Sequence, residues 1–95
     1  MQPVPPSWFK QRQAKAEPAG ENQYRLTGPN LGEAYIYVRL GENGRWSAGL
    51  RQTADGADVA VTGPDFAAEK DAWDAAFELY REYVIVGAET PVFPA

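Results

Sequence analysis

A chain of 95 residues has room for one domain. A domain of this size buries only about 60–65 % of the surface that its unfolded chain exposes. Its core therefore has to rely on large side chains, and the sequence supplies three Trp, five Tyr and four Phe. The sequence has no cysteine and no histidine, which excludes disulfide bonds, thiolate chemistry and the commonest general base and metal ligand. The net charge of −4 divides into a basic leader, residues 1–20, with three bases against one acid (+2), and a remainder at −6; an acidic body argues against extensive phosphate binding.

The leader, residues 1–20, is predicted to be disordered or to contain one short helix. Three of its first six residues are prolines, which favour an extended start, and Ser7 is a suitable cap for a helix over Trp8–Ala16. The opening residues lack the basic-then-apolar order of a signal peptide, and no apolar run approaches the roughly 20 residues of a membrane helix. We therefore expect a cytoplasmic protein with no membrane partner.

Residues 21–87 are predicted to form a single α+β domain, followed by a flexible tail at residues 88–95. Period-two alternation and regularly spaced turn residues indicate a three- to four-stranded antiparallel meander, with hairpin signals at Asn43-Gly44 and Asp55-Gly56. The predicted strands are Gln23–Thr27, Glu33–Leu40, Arg45–Thr53 and Asp58–Thr62.

One long C-terminal amphipathic helix, Asp65–Val84, is predicted to pack on one face of this meander in a β-β-β-α order. Asp65 stands where an N-cap belongs, and Val84–Val86 could be either the last helical turn or a short edge strand. The expected core comprises Ile36, Val38, Leu40, Trp46, Ala48, Leu50, Phe66, Trp73, Phe77 and Tyr80.

Three surfaces are candidates for binding. On the sheet face away from the helix, arginines alternate with aromatic residues, as in a platform that stacks bases and contacts phosphates, although ordinary solvent-facing strands and protein-binding faces share this composition. These residues are Tyr35, Tyr37, Arg39, Arg45 and Arg51. A flank of the helix, covered either by the chain ends or by a second protomer or another protein, carries Ala68, Ala72, Ala75, Leu79 and Tyr83. In the leader, Trp8 and Phe9 either dock on the domain itself or anchor a partner.

The opposite side of the helix is acidic. Asp71, Asp74, Glu78 and Glu82 form an acidic ridge that is typical of a solvated helix face, compensated in part by i,i+4 and i,i+3 pairs with Lys70 and Arg81. The alternative is a surface for a basic partner, including a mimic of a nucleic-acid backbone.

One stretch resembles a known family. The segment GRWSAGLR at residues 44–51, followed by GPDF at 63–66 and an alanine-rich stretch at 67–76, resembles the second strand and helix of three-stranded DNA-binding domains of the AP2/ERF and integrase-arm type. The resemblance implies a sheet that enters the major groove, with Arg39, Arg45 and Arg51 as DNA contacts. Because Asp58–Thr62, which corresponds to the third strand of such a domain, carries no base, the resemblance implies a shared architecture more than a shared function.

The sequence therefore predicts a small non-catalytic protein-interaction domain, an accessory, regulatory or inhibitory factor, whose partner is another protein or a second protomer. The alternatives are a nucleic-acid-binding domain that uses the tyrosines and arginines of the sheet, and an acidic inhibitor that mimics nucleic acid. Catalysis would have to rest on carboxylates, Lys70, tyrosines or a bound metal. The sequence shows no motif for any of these, so we predict no enzymatic activity, no cofactor and no metal.

Overall fold

The structure is a computed structural model that describes residues 3–29 and 31–86; the predicted tail at residues 88–95 lies outside the described residues. Five strands form one antiparallel sheet in the order β1-β2-β3-β4-β5. This confirms an α+β domain with an antiparallel sheet and a C-terminal helix, and the sheet has more strands than predicted. The elements in chain order are α1 (Ser7–Gln11), β1 (Lys15–Pro18), β2 (Gln23–Gly28), β3 (Leu31–Leu40), β4 (Trp46–Arg51), β5 (Asp58–Val61), α2 (Glu69–Tyr80) and a π-helical segment (Arg81–Val86).

The leader contributes to the sheet. Its helix ends at Gln11, and the helix predicted to continue to Ala16 is wrong because Gln13 has a left-handed backbone (φ 59°) that ends the helical path. Residues Lys15–Pro18 then pair with β2. The sheet therefore extends across the boundary that was predicted at residue 20.

The central hairpin joins β3 to β4 at the predicted turn. Its pairs run from Leu40 opposite Trp46 to Tyr35 opposite Arg51, and the turn is closed by the Gly41 N–H, which donates to the Arg45 carbonyl (2.8 Å). In this turn Gly44 has a positive φ of 78°, which a glycine adopts without steric cost.

Helices α1 and α2 pack on the same face of the sheet and enclose the core. Seven of the ten predicted core residues are buried: Ile36, Val38, Ala48, Leu50, Trp73, Phe77 and Tyr80. Trp46 and Phe66 are only partly buried against it. Leu40 was predicted wrongly, because it is the last residue of β3, beside the turn, and is 55 % exposed. Phe9, Leu26, Ala34, Ala72 and Ala76 complete the buried cluster.

Helix α2 begins later than predicted. Asp65 is not its N-cap, because the chain is still extended at Phe66, whose N–H and C=O both pair with Trp46 (3.1 and 2.7 Å); the N-cap is Ala68. At the other end the chain continues beyond Tyr80 as a π-helical segment to Val86. Residues 84–86 are therefore helical and not an edge strand.

Candidate functional site

The sheet face opposite the helices, called here the open face, brings an aromatic ring together with two guanidinium groups. Tyr37 lies in the middle of β3, opposite Gln23 on β2 and Gly49 on β4. Paired residues of antiparallel strands point to the same side of a sheet, and so do residues two apart on one strand. Arg39 and Arg51 are therefore placed on either side of the Tyr37 ring.

Tyr37 is buried although it belongs to the open face. The prediction that it faces solvent is wrong, because its ring lies against Gly49 on one side and is covered by the Arg51 guanidinium, 4.2 Å from the ring centroid, on the other. The Arg39 guanidinium lies 5.7 Å from the same centroid. These distances are typical of cation–π contacts. The Tyr37 ring therefore packs beneath the side chains of two arginines and is not free to stack on a ligand.

Hydrogen bonds lock this arrangement. The Tyr37 hydroxyl and the Arg51 Nε both donate to Oδ1 of Asp58, at 2.8 and 3.0 Å. The Arg51 Nη1 also donates to Oε1 of Gln23 at 3.4 Å. Asp58 therefore links β5 to the central strands and neutralises Arg51, which is not the freely solvated side chain that the alternation pattern predicts.

The titration behaviour follows from these contacts. Burial and the hydrogen bond to Asp58 raise the pKa of Tyr37 above its usual value. Desolvation opposes ionisation of Asp58, but the hydrogen bonds from Arg51 and Tyr37 outweigh it and lower the pKa of that carboxyl. The hydrogen bond to Asp58 in turn raises the pKa of Arg51. At neutral pH the cluster holds an anionic Asp58, a neutral Tyr37 and a cationic Arg51.

The remaining predicted residues of this face are separated by their contacts. Tyr35 is half-buried opposite Arg51 and Arg25. Arg45 is exposed at the β3–β4 turn, where its Nη1 donates to the Asp65 carbonyl at 3.3 Å, so it does not join the cluster. The structure therefore brings together Tyr37, Arg39 and Arg51 of the predicted set.

A groove of about 440 Å³ opens beside this cluster, between the β1–β2 turn and the C-terminal half of β3, with Arg51 of β4 in its lining. Among the described residues Arg39 forms no ion pair with a carboxylate, and its charge acts at longer range on Asp58, whose pKa it helps to lower. Its guanidinium can therefore still donate to an anionic group from outside. The groove is lined by Glu21, Asn22, Gln23, Tyr37, Val38, Arg39, Leu40 and Arg51. These groups can recognise a ligand through charge and hydrogen bonds. Within residues 3–29 and 31–86, no three or more carboxylates are grouped so that they could hold a metal ion.

Gln23, Asp58 and Glu21 are the parts of this site that the sequence did not identify. Gln23 and Asp58 each begin a predicted strand, and neither residue type is unusual at a strand end. Only the strand pairing brings them to Tyr37.

The predicted helix flank does not form one surface. Ala72 is fully buried in the core and is not available to a partner, because it lies on the α2 face that meets the sheet. Ala75 and Leu79 are partly buried against the core, and Ala68 and Tyr83 are exposed. The four carboxylates of the acidic ridge are all exposed, and two of them form the expected ion pairs, Lys70–Asp74 (3.2 Å) and Arg81–Glu78 (3.6 Å).

The aromatic pair of the leader docks on the domain. Phe9 is 1 % exposed, with its ring 5.2 Å from that of Phe77 and 6.0 Å from that of Tyr80, in edge-to-face contacts. Trp8 packs partly buried beside it, and the Arg81 guanidinium lies 6.0 Å from the Trp8 ring. Phe9 is therefore part of the core, which excludes it as an anchor for a partner in this conformation.

No protein-family model matches the chain, no curated protein sequence matches it, and no solved structure matches it. The resemblance to AP2/ERF and integrase-arm domains therefore stays a prediction. In the part of the chain that the structure describes, no helix combines the length and the apolar character that crossing a membrane would require.

Proposed function

We propose that this protein is a non-catalytic binding domain that contacts another protein through the open face of its sheet, with the groove beside Tyr37 at the centre of the contact. The observation that supports this proposal is the Tyr37–Arg39–Arg51 cluster, an ordered polar arrangement on the face that neither helix covers. Tyrosine and arginine are enriched at protein interfaces, where ordered side chains bind with little loss of entropy.

The charges of the open face favour a protein partner over a nucleic acid. Two of its arginines are neutralised within the sheet, Arg51 by Asp58 and Arg25 by Glu33. Binding to a phosphate backbone requires several clustered cations that release counterions, whereas in the cluster around Tyr37 Arg39 is the one arginine without an ion pair among the described residues. One such group fits a carboxylate of a partner protein, which it can hold by a charge-assisted hydrogen bond.

Site-specific photocrosslinking tests this proposal. A photoreactive phenylalanine analogue at Tyr35, which is half-buried on the open face, should crosslink a protein partner in the cells that produce the chain. Adding Arg39→Glu should abolish the crosslink, because it sets a second negative charge against the carboxylate of the partner protein. The matched change Arg45→Glu, at an exposed arginine outside the cluster, should leave the crosslink intact.

The nucleic-acid alternative is tested by titrating labelled duplex DNA and single-stranded RNA at low and at physiological salt. If the partner is a protein, neither the DNA nor the RNA should bind in a way that depends on Arg39. Binding at micromolar concentrations that falls steeply with salt and is lost in Arg39→Glu would replace the protein partner with a nucleic acid.

A further inference from the structure

The two edges of the sheet differ in how well they are protected against a further strand. The edge strand β1 carries the charged side chains Lys15 and Glu17 and ends at Pro18, which lacks an N–H. Charges and proline are the usual means by which natural proteins block an edge. At the opposite edge, β5 presents Val59 and Val61, which are 46 % and 56 % exposed. The only charged residue of β5, Asp58, is held by Arg51, so the protection of this edge is limited to the short length of the strand and the bulge at Val59.

The backbone of β5 has hydrogen-bonding groups to offer. Directly after the strand, the Thr62 N–H donates to the Ala48 carbonyl at 2.8 Å, so residue 62 points its backbone groups towards β4. Backbone groups alternate in direction along an antiparallel strand, so the N–H and C=O of Val61 point away from β4. Because β5 is the last strand of the sheet within residues 3–29 and 31–86, these groups face an edge that no described strand covers.

A cleft of about 360 Å³ lies at the start of β5. Val59 stands in the bulge that shifts the β4–β5 register and lines this cleft together with Leu50 and Val84. Tyr83, which is 51 % exposed, forms part of its wall. The cleft is therefore placed to take an apolar side chain from a strand that pairs with β5.

The charge around this edge indicates the chemistry of the partner. Residues 52–68 contain three aspartates and no lysine or arginine. Asp58 is paired with Arg51, which leaves Asp55 before β5 and Asp65 after it. A second copy of the chain would bring these acids together, and like charges across an interface are unfavourable. We propose that the free edge of β5 binds an extended segment of another protein. That segment has apolar side chains that contact Val61 and enter the cleft, and it has lysine or arginine at its two ends.

This inference goes beyond the proposed function, because it uses the sheet edge and not the groove. It assigns the edge a β-strand addition, in which the backbone supplies affinity and the alternate side chains supply specificity. The partner that binds the groove need not be the one that binds the edge.

Selection from a random peptide library displayed on phage tests the inference with the full chain. Enriched peptides should alternate apolar residues between basic flanks. Their affinity should fall at least about tenfold for Val61→Lys, equivalent to about 1.4 kcal/mol, and should be unchanged for Val4→Lys, the same substitution at a residue that is 73 % exposed elsewhere. On binding, the Val61 amide proton should become protected from hydrogen exchange. Val59→Lys serves as a second edge variant if Val61→Lys does not fold.

Other outcomes would overturn the inference. Selected peptides that lack basic flanks, or that bind Val61→Lys as tightly as the unmodified protein, would show that the edge is not the site, as would failure to enrich any peptide. A homodimer in sedimentation equilibrium that Val61→Lys dissociates would make a second copy the occupant. Peptides that lose affinity for Arg39→Glu but not for Val61→Lys would belong to the groove, which separates this inference from the proposed function.

Discussion

Replacing Gly49 with alanine is the sharpest test of the packing at the candidate site. A Cβ built at Gly49 would lie closer than 3.0 Å to the Cζ, Cε1 and Oη atoms of Tyr37, a separation that real Cβ atoms essentially never show. The backbone of Gly49 itself does not have a positive φ, so alanine brings no backbone strain. The whole effect therefore depends on the ring of Tyr37, which has to move towards solvent.

The cost can be estimated from the contacts that the displaced ring loses. The hydrogen bond to Asp58 contributes about 0.5–1.5 kcal/mol, and the stacking of Arg51 on the ring contributes about 0.5–1 kcal/mol at a site open to solvent. Exchanging glycine for alanine within a strand returns about 0.5–1 kcal/mol, because the unfolded chain loses freedom. We expect Gly49→Ala to lower the free energy of unfolding by about 1 kcal/mol, with a range of roughly 0–2 kcal/mol, at the low end of what overpacking usually costs.

A double-mutant cycle measured by urea denaturation separates this mechanism from a general intolerance of the strand. In a Tyr37→Ala background no ring opposes the new methyl group, so Gly49→Ala should become neutral or should stabilise by up to about 1 kcal/mol. The sign of the effect should thus change between the two backgrounds. An equal loss of stability in both would refute the conclusion that Tyr37 is what requires glycine at position 49.

Three further predictions concern the core and pH. Phe9→Ala should lower the free energy of unfolding by about 3–5 kcal/mol, because it empties a buried site, whereas Val4→Ala should have little effect. Equal urea midpoints for these two variants would show that the leader does not dock. Tyr80→Phe should cost about 1 kcal/mol, because it removes the 3.1 Å hydrogen bond to the Gly32 carbonyl while keeping the ring; unchanged stability in urea would contradict that contact. The pKa of Tyr37 is raised above 10.0 in the folded state, so the stability that its neutral hydroxyl contributes is complete below about pH 10 and is lost as the pH rises through the folded pKa. In alkaline denaturation, Tyr37→Phe should therefore lose less stability over this pH range than the unmodified protein. An equally steep loss in both would refute the conclusion that Tyr37 titrates there.

Sequence reasoning predicted the parts of the fold whose residues face one consistent environment. Ile36 and Val38 lie on a strand with strict alternation, and Trp73 and Phe77 recur at helical spacing, so their burial follows from periodicity alone. Strand β1 is paired on one side only and its burial follows no alternation, so no pattern marks it. Its stability depends on pairing with β2, which is a tertiary effect.

The start of α2 shows the same competition between local preference and tertiary pairing. Asp65 has a side chain that favours an N-cap, and the alanines that follow favour a helix. The structure instead keeps Phe66 extended, because both of its backbone groups bond to Trp46 at the end of β4. Two hydrogen bonds to a distant strand outweigh the preference of a few residues, and the helix starts four residues later, at Glu69.

The candidate site divides into a part that was predictable and a part that was not. Every pair of the β3–β4 hairpin is mirrored about Asn43, so three residues, Glu42–Gly44, separate Gly41 from Arg45. A two-residue Asn43-Gly44 turn would be mirrored between those two residues and would place Tyr37 opposite Leu50. The alternation, with Leu40 and Trp46 both expected on the inward face, selects the observed register and places Tyr37 opposite Gly49. The partner of Arg51 follows no such rule. The register shifts by one residue after Leu50 opposite Ala60, and only this bulge places Asp58 opposite Arg51. A bulge depends on how the two strands fit the twisted sheet and has no simple residue signature here. The neutralisation of Arg51, which decides whether the open face can attract phosphates, therefore depends on a backbone irregularity that alternation patterns do not encode.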